Sequence, residues 1–339
     1  MRLGFAVKML GQGLKSHDSR RWQHDPHLSV SLIYLRDVFG YLGRQDIRVY
    51  RMAADLAPYI THPDMPQFHR QVEECAAELA ATGQLARELG LRLSFHAPLS
   101  TVLNAPNEAL VQKSAADLTA LASILDAMGL GPEAVIVTHV GGAYEDRLQA
   151  RERFAARVLE LPGGTQPRLA LEHDDQQFSV ADVAWIHERT GVRLVFDRLH
   201  FLCHNPEGLS ETEALAICLR AWPDGVTPKV HFSSPRTAMH LVERRDVEAP
   251  WTRPLAPGRA AHQGRPRIQR TLRAPHPTEH ADFVDPFAFI AFLKAVRSAK
   301  LPDFDVLLEC GGHDLAVLRL REQLHTYGVA SMNGVHYKV

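Results

Sequence analysis

Short apolar runs in this chain end repeatedly in a histidine or an acid. His96 closes Leu-Arg-Leu-Ser-Phe, His139 closes Val-Ile-Val-Thr, and Glu172 closes Leu-Ala-Leu. Asp197 closes Leu-Val-Phe with His200 three residues on, His231 follows Lys229-Val230, and Glu309 closes Val-Leu-Leu. One such residue after a strand is ordinarily a loop residue or a cap. Six strand ends that each carry one form a different pattern. Gathered without partners, so many ionisable groups would repel one another or be costly to desolvate, and divalent cations resolve that cost. Mixed nitrogen and oxygen donors suit Zn²⁺, Mn²⁺ or Fe²⁺ rather than Ca²⁺. No cysteine is among them, which argues against a structural thiolate zinc site.

Further donors lie close by in sequence. His62 stands in Tyr59-Ile-Thr-His62-Pro63, and His280 in Glu279-His280-Ala-Asp282. The whole set exceeds the four or five ligands of one ion, so two or three ions are expected. Metals a few ångströms apart that share a carboxylate, here Glu172 or Glu309, are the machinery of phosphoryl ester hydrolysis. One ion lowers the pKa of a bound water and the others stabilise the leaving oxygen. Lys229 lies two residues before His231, so on a strand both point to one face. A charged amine among cations is unfavourable unless it binds phosphate or is chemically modified.

These residues need a scaffold that brings distant strand ends together. Short β-branched or apolar runs at 3–7, 47–50, 91–95, 134–138, 168–171, 193–196, 229–232 and 306–308 read as strands. Amphipathic stretches at 29–42, 68–89, 107–128, 147–159, 179–188, 211–222, 286–296 and 315–324 read as the helices that follow them. Eight strand–helix units in order predict an α/β chain forming one (β/α)₈ barrel over residues 1–339, with all eight carboxyl ends on one face. A doubly wound open sheet is the alternative, weakened because no GxGxxG follows the first strand. One segment breaks the rhythm. Residues 236–279 form an Arg/Pro-rich insertion after the seventh strand, without amphipathic period, read as a long loop. Its arginines, Arg253, Arg265, Arg267 and Arg270 among them, match phosphate geometry.

Bulk composition excludes several classes. The 339 residues carry Lys+Arg 38 against Asp+Glu 39, a formal net charge of −1, so any polyanion site must come from local charge asymmetry. The 19 histidines are well above the usual share, and histidine is the commonest metal ligand. Cys75, Cys203, Cys218 and Cys310 form no CxxC pair, which speaks against a zinc finger and for a reducing compartment. Charge interrupts the first eight residues, and no apolar run approaches the roughly 18 residues of a membrane span. A cytoplasmic monomer is expected.

With these residues in view, the chain resembles the UV damage endonuclease family. The matching stretches run in order through most of the sequence. They are Arg2-Leu-Gly-Phe5, Arg51-Met52, Thr61-His62-Pro63, Thr138-His-Val-Gly-Gly-Ala-Tyr144, Leu171-Glu-His-Asp-Asp175, Phe196-Asp197-Arg-Leu-His200, Asn205-Pro206, Pro228-Lys-Val-His-Phe-Ser-Ser234 and His280-Ala-Asp-Phe283. The wider relatives are endonuclease IV and the xylose isomerase-like barrels, to which His96-Ala-Pro98 is similar. The resemblance implies a TIM barrel with a three-metal cluster, commonly of Mn²⁺. It implies incision of lesion-bearing duplex DNA immediately 5′ to the damage, leaving a 3′-hydroxyl and a 5′-phosphate. Carried over by motif, the ligands are His96, His139, Glu172, Asp197, His200, His231, His280 and Glu309. His62 matches a further active-site histidine, and Lys229 a lysine that can be carboxylated. The chain departs from the family at Leu99-Ser100, where a Gln-Tyr pair usually wedges into the duplex, at Phe5 in place of a tyrosine, and at Cys310-Gly-Gly-His313. Leu99, Ser100 and Phe5 are therefore the corresponding DNA-contact positions. The departures keep an apurinic endonuclease, a sugar isomerase or epimerase, and a non-catalytic DNA-binding relative in view.

Overall fold

The computed structural model describes residues 1–246, 267–329, 331–332 and 336–337. Eight parallel strands close into a barrel. They are β1 (Leu3–Ala6), β2 (Val49–Arg51), β3 (Arg92–His96), β4 (Ile136–His139), β5 (Leu169–Glu172), β6 (Arg193–Asp197), β7 (Lys229–Phe232) and β10 (Asp305–Leu308). The order around the barrel is β1-β10-β7-β6-β5-β4-β3-β2, closed by β1 pairing with both β10 and β2. The main helices around it are α1 (Leu28–Arg44), α3 (Ala76–Glu88), α4 (Glu108–Ala127), α5 (Arg147–Glu160), α6 (Val180–Thr190), α8 (Glu211–Arg220), α9 (Pro286–Ser298) and α10 (His313–Thr326). Each strand–helix unit expected from the sequence is present, and the Ser179–Asp182 and Ser210–Glu213 capping boxes start α6 and α8.

Alternation along the strands divides the molecule into two apolar compartments. One large cluster, including Leu3, Phe5, Tyr50, Leu32 and Phe196, unites the strands with the helices. A small second cluster of Val135, Val137, Ala170, Val195 and Trp222 is separate from it. Continuing by steps of two toward the carboxyl ends leads from Val137 to His139, from Ala170 to Glu172 and from Val195 to Asp197. At the amino ends Asp305 accepts from Arg2 and, at 2.9 Å, from Arg92, and the Arg92 guanidinium lies 5.4 Å from the Trp222 ring. A buried ion pair thus stands at the opposite end from the histidines.

The structure departs from the sequence expectation in four places. Residues 68–89 divide into a short α2 (Gln71–Glu74) and α3, with Cys75 non-helical between them. Buried Gln71 fixes the start of α2, its amide committed to Leu28 N, Pro58 O and Phe68 O. The arginine-rich insertion, expected as a loop, instead carries an antiparallel ribbon of β8 (His240–Asp246) and β9 (Arg267–Arg273). Its sequence lacks apolar periodicity because the described side chains at 241–243 and 269–273 are all exposed, whichever face of the ribbon they take. A six-residue helix α7 (Arg198–Cys203) after β6 was not anticipated, nor a small pairing of β11 (Ser331–Met332) with β12 (His336–Tyr337). No helix among the described residues is long and apolar enough to cross a membrane.

Candidate metal centre

The carboxyl ends of β3, β4, β5, β6, β7 and β10 deliver their terminal polar side chains to one point. Glu172, 1% exposed, is the hub. Its Oε2 lies 3.1 Å from His96 Nε2 and 3.7 Å from His139 Nε2. Its Oε1 lies 3.0 Å from His231 Nδ1 and 3.5 Å from His200 Nδ1. Glu309 approaches His231 Nδ1 at 3.4 Å and is ion-paired with Arg51. Three overlapping groups could hold a cation, each with ligand atoms within 4.8 Å of one another. They are His96–His139–Glu172, Glu172–Asp197–His200 and Asp197–His231–Glu309. Glu172 and Asp197 each belong to two of them, as bridging carboxylates would.

The hydrogen bonds fit this reading. His96 Nδ1 donates to Ala97 O at 2.8 Å, His200 Nδ1 to His173 O at 3.1 Å, and His280 Nδ1 to Glu309 O at 2.7 Å. A neutral imidazole that donates through Nδ1 presents a lone pair at Nε2. At His96 that lone pair faces a carboxylate oxygen, so two acceptors oppose each other unless a proton or a cation lies between. Asp197 Oδ2 and His231 Nε2 are buried without a protein partner. Such atoms are costly unless an ion or water satisfies them.

Protonation follows from the crowding. Burial opposes charge on Glu172 most strongly, yet His231, His139 and His96 together hold its carboxyl well below the ordinary range. Burial likewise opposes charge on Glu309, which Arg51 and His231 outweigh. Burial disfavours the imidazolium of His200, but Asp197, Glu172 and Glu309 raise it to about 9. Burial lowers His139. Lys229, 1% exposed, is pushed well below the usual lysine range by burial and by Arg92 and Arg51. Its Nζ donates to Ser94 Oγ. Because β7 and β3 are not neighbours, that bond crosses the barrel, and Lys229 points to the axis as its spacing from His231 required.

The other expected site residues separate into several fates. His280 stands beside His200, ring centroids 6.2 Å apart. His139, His200 and His280 line a cavity of about 400 Å³ walled also by Leu99, Asp174 and Gln177. Leu99 is 81% exposed at its rim, and Ser100 beside it is exposed. His62 contacts its own loop, with Tyr59 at 6.2 Å and Asp64 N and His69 on its polar atoms. Phe5 must be corrected: it is fully buried in the large apolar cluster, its ring 5.4 Å from Tyr50, and presents no face to DNA. A tyrosine hydroxyl would have been costly there, which explains the phenylalanine. Arg270 is exposed and pairs with Glu243 at 2.8 Å across the ribbon. Arg253 and Arg265 lie outside the described residues, as does the side chain of Arg267.

Three supporting residues escaped the sequence reading. Arg51 neutralises Glu309. Ser94 receives Lys229, and its place two residues before His96 was the available signal. His173, fully buried, accepts from Asp197 N at 3.1 Å and is kept neutral by burial, with a pKa pushed down to about 3.

The chain matches known proteins over most of its length. The model of the UV-endonuclease UvdE family matches residues 28–338. A UV DNA damage endonuclease of Bacillus velezensis is 29% identical over 310 residues, covering 90% of this chain and 85% of that protein. One of Bacillus pumilus is 27% identical, covering 82% and 75%. In structure, the barrel resembles SacUVDE, with a TM-score of 0.74 at 24% identity, covering 96% of this chain and 99% of the other. It also resembles 3-keto-D-glucoside 4-epimerase YcjR of E. coli, with a TM-score of 0.54 at 10% identity, covering 96% and 99%. Both structural likenesses speak to the fold, whereas the family match spans 28–338 and includes every strand but β1: the chain belongs to the UV-endonuclease UvdE family.

Proposed function

We propose that this protein is a metal-dependent DNA repair endonuclease that hydrolyses the phosphodiester immediately 5′ to a UV photoproduct or similar distorting lesion. The observation that carries the reading is the acceptor pair opposed at His96 Nε2 and Glu172 Oε2, with Asp197 Oδ2 and His231 Nε2 buried and unpartnered among the described residues, in a chain of a UV-endonuclease family. Two or three divalent ions, Mn²⁺ first and Zn²⁺ or Fe²⁺ as alternatives, supply water activation and charge stabilisation at the phosphodiester when bound. His96, His139, Glu172, Asp197, His200, His231, His280 and Glu309 hold them. Backbone carbonyls at Ala97, His173 and Glu309 orient three of these rings. Arg51 balances Glu309, and His173 fixes the backbone at Asp197. Lys229, buried and with its pKa pushed well below the usual lysine range, is an amine open to carboxylation and acts beside the cluster. His62 is carried as a further active-site histidine by its Thr61-His62-Pro63 motif, its contacts in the structure being with its own loop. Leu99 and Ser100 meet the duplex at the cavity rim, where leucine enters a base step as an apolar wedge. Arg267 and Arg270, with Arg253 and Arg265, contact phosphates.

The test is incision of three end-labelled duplexes with Mn²⁺, one carrying a pyrimidine dimer, one abasic and one intact. A cut immediately 5′ to the dimer, with a product that a polymerase extends from its 3′-hydroxyl, supports the reading. Equal cutting of all three removes lesion specificity. Cutting of the abasic duplex alone favours an apurinic endonuclease, a reading that the missing aromatic beside exposed Leu99 makes worth the arm.

A further inference from the structure

The ribbon of β8 and β9 is unlike the rest of the surface. Its strands pair through seven consecutive positions, about 23 Å at the usual rise. Residues 236–246 and 267–273 hold six arginines against two acids, in a chain whose overall charge is −1. Leu241 pairs with Leu272, so both lie on one face, and they are 55% and 67% exposed. Met239 adjoins them at 58% exposure. Neither edge is paired with another described strand.

Open edges and exposed leucines on a twisted ribbon invite a partner. The charge selects which. A second copy of this ribbon would bring like charges together, whereas a polyanion complements them. A two-stranded ribbon also has the width of a DNA major groove.

The root of the ribbon leads to the metal centre. Pro235 bridges His280, and Arg236 N donates to Glu279 O at 2.7 Å. Glu279 accepts from Arg273 at 2.5 Å and faces His240 at 3.6 Å. Arg273 also donates to His240 Nε2 at 2.9 Å. The residue that anchors both strands therefore directly precedes His280, on the cavity wall.

We infer that this ribbon is a duplex-contacting arm: the Leu241–Leu272 pair seats in a groove of the DNA flanking the lesion, Arg270 lies on a bordering phosphate, and Glu279 joins that contact to the site at His280. The exposed Arg270–Glu243 pair is weak enough to be exchanged for a phosphate. The inference rests on the endonuclease reading and deepens it by naming a second DNA contact beyond the cavity.

The test is anisotropy of a fluorescein-labelled intact duplex with the full chain across a salt series. Leu241→Ser/Leu272→Ser weakens binding about tenfold, roughly 1.4 kcal/mol, with the salt slope unchanged, because an apolar contact releases no counterions. Arg270→Ala lowers the slope by about one phosphate contact. Both changes are at exposed positions, and matched melting curves verify the fold. A wild-type protein that binds the duplex no better than the leucine variant overturns the inference and leaves the nuclease reading standing. A wild type that binds no duplex at any salt overturns both. A wild-type dimer that the leucine variant dissolves assigns the ribbon to self-association and also overturns the inference.

Discussion

Replacing Glu172 with glutamine keeps the volume of the hub and removes its charge. Four imidazoles approach that carboxylate between 3.0 and 3.7 Å. At 4 Å and an effective dielectric of 20, one pair of unit charges interacts by about 4 kcal/mol, and a dication doubles the attraction. Desolvation of the buried charge offsets much of it, and loss of one partner from a buried pair leaves a net cost of about 3–5 kcal/mol. That corresponds to a loss of metal affinity on the order of 10²- to 10³-fold. The ion-free fold survives, because His200, the cluster histidine whose pKa is raised to about 9, keeps Asp197 and Glu309 as counter-charges. Calorimetric titration of Mn²⁺ into chelator-stripped protein reads the affinity, and incision of dimer-containing duplex reads the consequence. Mn²⁺ binding and incision equal to wild type would falsify the placement of Glu172 at the centre of the cluster.

Other expectations follow from separate parts of the molecule. Lys229→Met keeps the melting temperature close to wild type, since burial already disfavours charge on the amine, and lowers incision at least tenfold when initial rates are compared. Asp305→Asn leaves Arg92 buried without its counter-charge and costs about 3 kcal/mol in urea denaturation, although no residue of the metal centre is touched. Asp18 is held at about 2, below the ordinary 3.8 of an aspartate, chiefly by its hydrogen bond from Arg20. A folded-state pKa below the unfolded one adds stability above pH 3.8 that is lost as pH falls toward 2. Because Arg20 is half exposed the gain is screened to about 1 kcal/mol. The urea midpoints of wild type and Asp18→Asn should therefore converge on acidification from pH 5, and a constant gap would count against the pair.

The barrel was legible because buried parallel strands write short apolar runs and the helices between them write a longer period. The metal centre was legible for a related reason. A strand that is apolar to its last residue and then ends in histidine or acid marks the change from core to mouth, and six strands repeat it. Supporting residues were hidden because their roles depend on partners far away in sequence. Arg51 meets Glu309, Ser94 meets Lys229, and His173 meets the backbone at Asp197. Phe5 was misjudged since a motif gives a position but not the compartment its ring enters. The ribbon was missed because its strands alternate against solvent on both faces, so arginine and leucine leave no amphipathic pattern.

The proposed metal dependence of the barrel mouth comes first. It is tested most directly by stripping the protein with a chelator, measuring incision of a dimer-containing duplex, and restoring Mn²⁺ in steps while bound metal is counted. Incision is expected to be absent from the stripped protein and to recover in step with the filling of two or three sites. Full incision by the stripped protein, or bound metal that Asp197→Asn and Glu172→Gln leave unchanged, would contradict it.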